Sequence, residues 1–267
     1  MCPTVSPELS AADAIERHVR ERVAGRTSPL VVGICGAQGS GKTTVAASVV
    51  RRLEADGIAA AALSLDDLYL TRGERERLAR TVHPLLRVRG VPGTHDVALG
   101  ISVLDALEAG RETLLPRFDK ASDDRAAEGT AVSADVRVVL WEGWCIGAVA
   151  EPDAALGLPV NALEAREDAD GGWRRWVNRQ LAGPYQCLWA RIDSLVLLRA
   201  PSFDVVRGWR IEQEQALRRA TGGGMTDQAV GRFVEFYERL TRHILREMPG
   251  RCDLMLTLDE RRRIVVS

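Results

Sequence analysis

The stretch Gly36-Ala-Gln-Gly-Ser-Gly-Lys-Thr43 decides the fold class of this 267-residue chain, because it matches the phosphate-binding pattern GxxxxGK[ST] at every fixed position. A continuous apolar run at 30–35 precedes it and has the length of a fully buried strand. Residues 44–55 follow it with apolar side chains at helical spacing. A strand, a glycine-rich turn and a helix in this order predict a P-loop, whose backbone N–H groups and helix N-terminus surround phosphate oxygens.

The rest of the chain alternates strand and helix candidates. Apolar runs predict buried strands at 58–65, 136–141, 194–198 and 254–258 and a short edge strand at 264–266, and helical spacing marks 10–24, 98–109, 173–189, 204–220 and 227–247. This alternation predicts an α/β P-loop NTPase fold, with a mostly parallel sheet flanked by helices. We expect one kinase domain over 1–267, and we interpret the charged segments 72–80 and 261–263 as solvated faces.

Composition argues against several classes of protein. The chain has 36 basic and 37 acidic residues and a net charge of −1, without the one-sided basic segment that nucleic-acid binding needs. Its five cysteines lie far apart and lack the spacing of a zinc site or a disulfide framework. No apolar run approaches the roughly 18 residues of a membrane-spanning helix, and the N-terminus lacks a secretion-signal pattern. We therefore expect a cytoplasmic protein without nucleic-acid or membrane partners.

The P-loop predicts the residues that contact ATP. Lys42 is expected to reach the β- and γ-phosphates, and Thr43 is expected to ligate Mg²⁺. Lys42 and Lys120 are the only lysines among the 36 basic residues, and a lysine retained in an arginine-rich chain favours a site that needs a compact ammonium group. The full set of expected nucleotide contacts is Gly36, Ala37, Gln38, Gly39, Ser40, Gly41, Lys42, Thr43 and Thr44.

Carboxylates follow two further strand candidates. Asp66 and Asp67 come at the end of the second strand, at the sheet edge where the P-loop opens. A carboxylate there can accept the proton of an attacking hydroxyl or help to hold Mg²⁺, and the N-cap of the next helix explains the pair equally well. Glu142 ends the third strand and is the candidate to orient Mg²⁺, with Asp66 as a further metal candidate. We interpret Trp141 and Trp144 beside it as core or cleft wall.

A basic helix near the C-terminal third has the pattern of a lid. The segment at about 203–224 carries Arg207 and Arg210 and runs into three consecutive glycines at 222–224. Arginines delivered by lid closure neutralise charge on a transferred phosphoryl group, which makes these two residues catalytic candidates. A plain solvated helix fits the same pattern.

Two nucleotide-binding classes lack their motifs. A GTPase needs an NKxD-type segment, which lysines at 42 and 120 alone cannot supply, and no LSGGQ-like segment of an ABC-type ATPase occurs. The sequence therefore predicts an ATP-dependent kinase whose acceptor is a hydroxyl of a small metabolite. An ATP-binding regulator that transfers no phosphate is the alternative from a different class.

Several segments together resemble the plant- and fungal-type glycerate 3-kinases, within the wider group of phosphoribulokinase, uridine kinase and pantothenate kinase. In chain order they are GAQGSGKTT at 36–44, SLDDLYLT at 64–71, RGVPGTHD at 89–96, LPRFDKASDDR at 115–125, VLWEGW at 139–144, VN at 177–178 and WRIEQEQALR at 209–218. The resemblance covers about 28–260 and implies a parallel-sheet kinase fold that uses ATP and Mg²⁺. It implies D-glycerate as the acceptor, with a pantothenate- or uridine-kinase-like metabolite as the alternative.

The resemblance also implies roles for individual residues. Asp66 becomes the general base in preference to Asp67, and Glu142 takes the Mg²⁺ role. Insertions at about 83–128 form the acceptor pocket, and the chain departs from the family at 121–124, where the family carries a glycine-bearing stretch, and at 151–172. Polar side chains expected to hold a carboxylate and hydroxyls are Asp67, Tyr69, Arg89, His95, Asp96, Lys120 and Arg125.

Overall fold

A five-stranded parallel sheet forms the centre of the computed structural model, which describes residues 10–265. The strands are β1 (Leu30–Gly36), β2 (Ala60–Ser64), β3 (Thr113–Leu115), β4 (Phe118–Asp119), β5 (Asp124–Arg125), β6 (Thr130–Val132), β7 (Val138–Gly143), β8 (Ser194–Arg199) and β9 (Leu254–Thr257). The helices are α1 (Ala11–Val23), α2 (Lys42–Ala55), α3 (Arg72–Thr81), α4 (Val97–Glu108), α5 (Ala162–Glu167), α6 (Gly172–Ala182), α7 (Pro184–Trp189), α8 (Phe203–Thr221) and α9 (Asp227–Glu247). Single 3₁₀ turns occupy Leu65–Leu68, Pro84–Arg87, Asp153–Leu156 and Met248–Gly250.

The central sheet brings the ends of β1, β2 and β7 into one row. Its strand order is β2-β7-β1-β8-β9, and each neighbouring pair is parallel. Glu142 on β7 lies opposite Ile34 of β1 on one side and opposite Ser64 of β2 on the other. The turns that follow these three strands therefore meet at a single sheet edge. The predicted α/β fold with a parallel sheet is confirmed.

Helices cover both faces of the sheet, as the strand sequences indicate. Along β7, Val138 and Leu140 pack with α1, α2 and α8, whereas Val139 and Trp141 pack with α4 and α7 on the opposite face. Side chains of a strand alternate between faces, so a strand that is buried on both sides has a continuous apolar sequence. Each such side chain contributes roughly 1.5–3 kcal/mol on full burial.

Capping residues set the limits of the helices next to the site. α8 begins after Ser202, whose Oγ accepts a hydrogen bond from the N–H of Val205 at 3.3 Å, and it ends at Gly222, which adopts φ +72°. The predicted glycine joint therefore starts as a left-handed C-cap. Thr226 caps α9 in the same way as Ser202 caps α8. Over residues 10–265, none of the helices combines the length and the apolar character that crossing a lipid bilayer requires.

Two predicted elements differ from the observed ones. The helix expected at 173–189 is two helices, α6 and α7, because Pro184 lacks an N–H and starts a new helix after Gly183. The edge strand expected at 264–266 is wrong for the described part of the chain, where Ile264 makes only an isolated antiparallel bridge with Leu258. Residue 266 lies outside the described residues.

The two charged segments expected to be solvated each contain one arginine that donates to the backbone of another segment. Arg75 on α3 is 2% exposed, and its guanidinium donates to the backbone oxygens of Leu70, Arg87 and Asp123 at 2.7–3.2 Å. Arg262 adopts φ +65° and donates to the backbone oxygen of Gly39 in the P-loop at 2.6 Å. The expectation is wrong for Arg75, since a guanidinium with several acceptors can be buried at little cost. The side chain of Arg262 is 33% exposed and its neighbours Arg261 and Arg263 are exposed, so the segment 261–263 stays at the surface.

Candidate active site

The P-loop joins β1 to α2 and packs directly against α8. Gly39 and Gly41 adopt φ of +77° and +86°, a region that favours glycine. A Cβ atom at Gly39 would lie 2.7 Å from Cβ of Trp209 on α8, so only glycine fits this contact. Of the other expected nucleotide contacts, Gln38 lines the cleft, while Gly36 and Ala37 are buried beneath it.

The start of α2 leaves hydrogen-bond donors open toward the cleft. Gly41 is the N-cap residue, and no side chain caps the first turn. Lys42, Thr43 and Thr44 of that turn line the cleft. The Oγ atom of Ser40 is buried and has no hydrogen-bond partner within residues 10–265. Open donors at the positive end of a helix bind phosphate oxygens, so this loop fits the triphosphate of a nucleotide.

Thr43 and Glu142 form the contact expected of a magnesium site. The hydroxyl of Thr43 donates to Oε1 of Glu142 at 2.9 Å, and Glu142 is 3% exposed at the end of β7. Hydroxyl and carboxylate oxygens are the donors that Mg²⁺ prefers, so this pair fits the ion. Within residues 10–265 no cluster of three or more His, Cys, Asp or Glu side chains could hold a metal, so further ligands would come from phosphate oxygens or water.

Asp66 occupies the cleft between two donors. Nζ of Lys120 lies 2.7 Å from its Oδ2, and the hydroxyl of Tyr69 donates to its Oδ1 at 2.8 Å. Burial opposes ionisation, but the charges of Lys120 and Lys42 outweigh it and lower the pKa of Asp66 to about 2. Asp66 is therefore an ionised hydrogen-bond acceptor on the cleft wall.

Asp67 does not line the cleft, so the structure does not bring its carboxylate to the expected acceptor site. Its carboxylate accepts hydrogen bonds from the N–H of Phe118 at 3.0 Å and from Arg117 at 3.2 Å. Burial raises the pKa of Asp67. The hydrogen bonds of Asp67 connect the β4–β5 hairpin to the turn after β2. The capping alternative for both aspartates is also wrong, since Ser64 caps the 3₁₀ turn and Thr71 caps α3.

Arg89 and Lys120 are the expected acceptor contacts that do line the cleft, together with Tyr69. The guanidinium of Arg89 lies over the ring of Phe118 at 5.4 Å and forms an ion pair with Asp123. Lys120 pairs with Asp66, so each cation holds a carboxylate of the chain itself. Both cations expected to contact the acceptor are therefore paired with carboxylates of the chain.

His95, Asp96 and Arg125 do not line the cleft, so the structure does not bring them to the expected acceptor site. Nδ1 of His95 lies 2.6 Å from the hydroxyl of Tyr185, and burial lowers the pKa of His95 to about 4. Asp96 caps α4 and accepts a hydrogen bond from Arg125 at 3.0 Å. His95 also stacks on Tyr69 with ring centroids 4.7 Å apart. These residues bond to one another and support Tyr69 from below.

The two lid arginines point into different cavities. Arg210 lines the nucleotide cleft, lies 5.0 Å from the ring centroid of Phe233 and pairs with Glu214. Arg207 is exposed and faces a separate cavity between α5 and α9, so the structure does not bring it to the cleft where the catalytic role was expected. The exposed Arg207 fits the alternative of a plain solvated helix, whereas Arg210 does not, and α8 buries Val206 and Trp209 in the core on its other face.

Sequence reasoning missed several residues of the cleft. Tyr237 on α9 lines it and donates to the backbone oxygen of Arg89 at 3.2 Å. Gly90 must be glycine here, since a Cβ atom would lie 2.0 Å from the hydroxyl of Tyr237. Trp144 forms cleft wall as expected, and Trp141 is core. Arg75, Asp123, Glu214 and Arg262 also line the cleft. Among these residues only Gly90 carries a sequence signal, because a glycine in a loop can indicate a close approach of another group to the backbone.

Comparisons with known proteins agree with this geometry. No model of a known protein family matches the chain. It is 36% identical over 236 residues to the uncharacterized kinase mug58 of Schizosaccharomyces pombe, covering 84% of each chain. It is 32% identical over 221 residues to the chloroplastic D-glycerate 3-kinase of Arabidopsis thaliana, covering 78% of this chain and 46% of the plant protein. The solved structure of D-glycerate 3-kinase from Cryptococcus neoformans aligns with a TM-score of 0.80 at 27% identity, covering 96% of this chain and 97% of that one.

Proposed function

We propose, from the premise that this chain belongs to the family of P-loop kinases that includes the D-glycerate 3-kinases, that it phosphorylates a hydroxyl of D-glycerate. The chain is an ATP-dependent small-molecule kinase by its family, and the proposal concerns the acceptor and the residues. The observation that carries it is one cleft of about 1030 Å³ lined by Lys42, Asp66, Arg89 and Lys120. The phosphate site at Lys42 suits ATP. The two cations suit the carboxylate of a small hydroxy acid, and the Asp66 carboxylate can accept the proton of its hydroxyl.

Lys42 and the start of α2 bind the β- and γ-phosphates in this account. Thr43 and Glu142 would hold Mg²⁺ together with phosphate oxygens or water, and the ion would supply positive charge to the phosphate oxygens. Asp66 pairs with Lys120, and its expected contact with the ion stays a prediction. Arg210 reaches the same cleft from α8 and adds positive charge when Glu214 releases it. Closure of α8 over the nucleotide stays a prediction.

Asp66 receives the proton of the acceptor. The acceptor oxygen forms a bond to the γ-phosphorus, the bond from the γ-phosphorus to the β,γ-bridging oxygen breaks, and ADP leaves. A carboxylate with a pKa of about 2 is a weak base, so the proton moves late, after the new P–O bond has made the hydroxyl acidic. Asp66 orients the hydroxyl until that point.

Consumption of ATP with and without acceptor tests the proposal. A kinase forms ADP in proportion to added D-glycerate, with 3-phosphoglycerate as the product. An ATP-binding regulator would bind the nucleotide and show no dependence on D-glycerate. The Lys42→Ala variant is the matched control, because it removes a cleft-facing side chain and should abolish turnover while the melting temperature without nucleotide barely changes.

A further inference from the structure

Asp123 holds the cation that faces the proposed acceptor site. Its carboxylate pairs with Arg89 through Oδ1 and with Arg75 through Oδ2, the latter at 3.0 Å. All three residues line the nucleotide cleft. Asp123 belongs to the 121–124 segment in which this chain departs from the glycerate kinase pattern. The departure therefore places a negative charge where an acceptor carboxylate would pair with Arg89.

The two arginines are held in different ways. Arg75 donates to three backbone oxygens, one of them the carbonyl of Asp123 at 2.7 Å, so it keeps its position without the Asp123 carboxylate. The side chain of Arg89 is 28% exposed, and its ion pair is with the Asp123 carboxylate, which is 37% exposed. The hydroxyl of Tyr237 fixes the backbone of Arg89 instead. The Arg89 guanidinium is thus placed in the cleft and can exchange one carboxylate for another.

We propose that Asp123 sets the affinity for the acceptor, because its carboxylate occupies Arg89 in the resting cleft and is displaced by the carboxylate of the acceptor. The inference rests on the proposed function, because it takes the acceptor to be a small hydroxy acid. A neutral acceptor cannot replace Asp123 at Arg89, so it leaves the resting pair intact and gains nothing from this cation. The exchange therefore raises the KM of a carboxylate-bearing acceptor. The preference for such an acceptor over uncharged polyols and nucleosides comes from the charge of Arg89.

Asp123→Asn tests this role with little change of shape. Asp123 adopts φ +57°, a left-handed conformation that asparagine also tolerates, and its backbone contact with Arg75 remains. We expect the KM for D-glycerate to fall about threefold to tenfold, in line with the loss of a half-exposed competing ion pair, with the KM for ATP as internal reference. Asp124→Asn is the matched control, since the Asp124 carboxylate instead accepts from the N–H groups of Arg72 and Arg125.

The acceptor panel separates this inference from the proposed function. Turnover of D-glycerate with an equal or higher KM in Asp123→Asn overturns the inference and leaves the glycerate proposal standing. Turnover of pantothenate instead, with a lower KM in the variant, rejects D-glycerate and supports the inference, because pantothenate carries a carboxylate. Turnover of neutral uridine in preference to both overturns both.

Chemical labelling gives a readout that needs no turnover. Phenylglyoxal modifies free guanidinium groups, and mass spectrometry of peptides reports the modification of Arg89 alone. We expect faster labelling of Arg89 in Asp123→Asn than in the wild-type protein, and wild-type labelling in Asp124→Asn. Equal labelling of Arg89 in all three proteins shows that Asp123 does not hold it and overturns the inference.

Discussion

Nζ of Lys120 lies 2.7 Å from Oδ2 of Asp66 and joins the turn after β4 to the end of β2. These are the second lysine of the chain and the carboxylate proposed to receive the acceptor proton. The lysine is largely exposed, with 62% of its side chain accessible, so its charge can move when the acceptor binds. The pair connects the binding of an acceptor carboxylate to the proton affinity of Asp66.

Removal of Lys120 should shift the acid limb of the pH profile of kcat/KM. The pKa of Asp66 is lowered to about 2, so Asp66 stays ionised throughout the neutral and mildly acidic range. In Lys120→Ala the charge that chiefly offsets the effect of burial is gone, so the pKa of Asp66 rises. As the pH falls, activity is then lost at a higher pH than in the wild type. Lys120→Arg keeps the charge and should retain the wild-type limb. If Lys120→Ala and the wild-type protein lost activity at the same acidic pH, the ion pair between Lys120 and Asp66 would not control the protonation of Asp66.

The neighbouring aspartates should differ in the kind of defect that they cause. Asp66→Asn should lower kcat by about two orders of magnitude or more with ATP affinity largely kept, because an amide cannot take the proton. Asp67→Asn should instead cost stability, on the order of 1 kcal/mol, since Asp67 fastens Phe118 and Arg117. Steady-state kinetics and urea unfolding of both variants measure this. A catalytic defect confined to Asp67→Asn would move the base to that residue.

Substitution of Arg210 and of Arg207 should have different effects on kcat, because the two arginines line different cavities. Arg210→Ala should lower kcat at least about tenfold and change the KM for ATP less, because Arg210 stabilises charge that develops on the phosphoryl group. Arg207→Ala, which faces the other cavity, is the control and should behave as wild type. An effect on KM alone would make Arg210 a ground-state contact of the nucleotide.

His95 should make the protein less stable in mild acid. Burial lowers the pKa of His95 to about 4, against about 6.5 for the unfolded chain, so the unfolded chain binds the proton first as pH falls. The stability contributed by neutral His95 is present above about pH 6.5 and is lost toward pH 4, with a slope of up to about 1.4 kcal/mol per pH unit. We therefore expect the free energy of unfolding, measured with urea between pH 4.5 and 7, to depend less steeply on pH in His95→Gln than in the wild type. Equal slopes would contradict the buried neutral histidine.

The parts of the fold that sequence predicts well are encoded in contiguous residues. The P-loop, its strand and its helix occupy adjacent positions, and the burial of β7 on both faces appears directly as an apolar run. The break at Gly183-Pro184 was visible in the sequence, yet helical periodicity continues across it and obscured the boundary. Periodicity describes which face is buried and responds weakly to one broken backbone hydrogen bond.

The candidate site is predicted less well, because side-chain direction decides it. Asp66 and Asp67 are adjacent, but only Asp66 lines the same cleft as Lys42. The polar side chains of His95 and Asp96 form hydrogen bonds within the chain. Buried polar groups need partners, and the sequence does not say whether a partner is a ligand or another part of the chain. Tyr237 enters the cleft from a helix about 150 positions from Arg89, a proximity that no local pattern encodes.

Competition between acceptors for limiting ATP shows which metabolite the protein phosphorylates. The wild-type protein receives equal concentrations of D-glycerate, uridine, pantothenate and ribulose 5-phosphate with ATP and Mg²⁺, and mass spectrometry identifies the phosphorylated products. The ratio of products then equals the ratio of kcat/KM values. We expect 3-phosphoglycerate to be the dominant product. Phosphorylation of another acceptor in preference to D-glycerate, or of none while ATP binds tightly, would contradict this expectation.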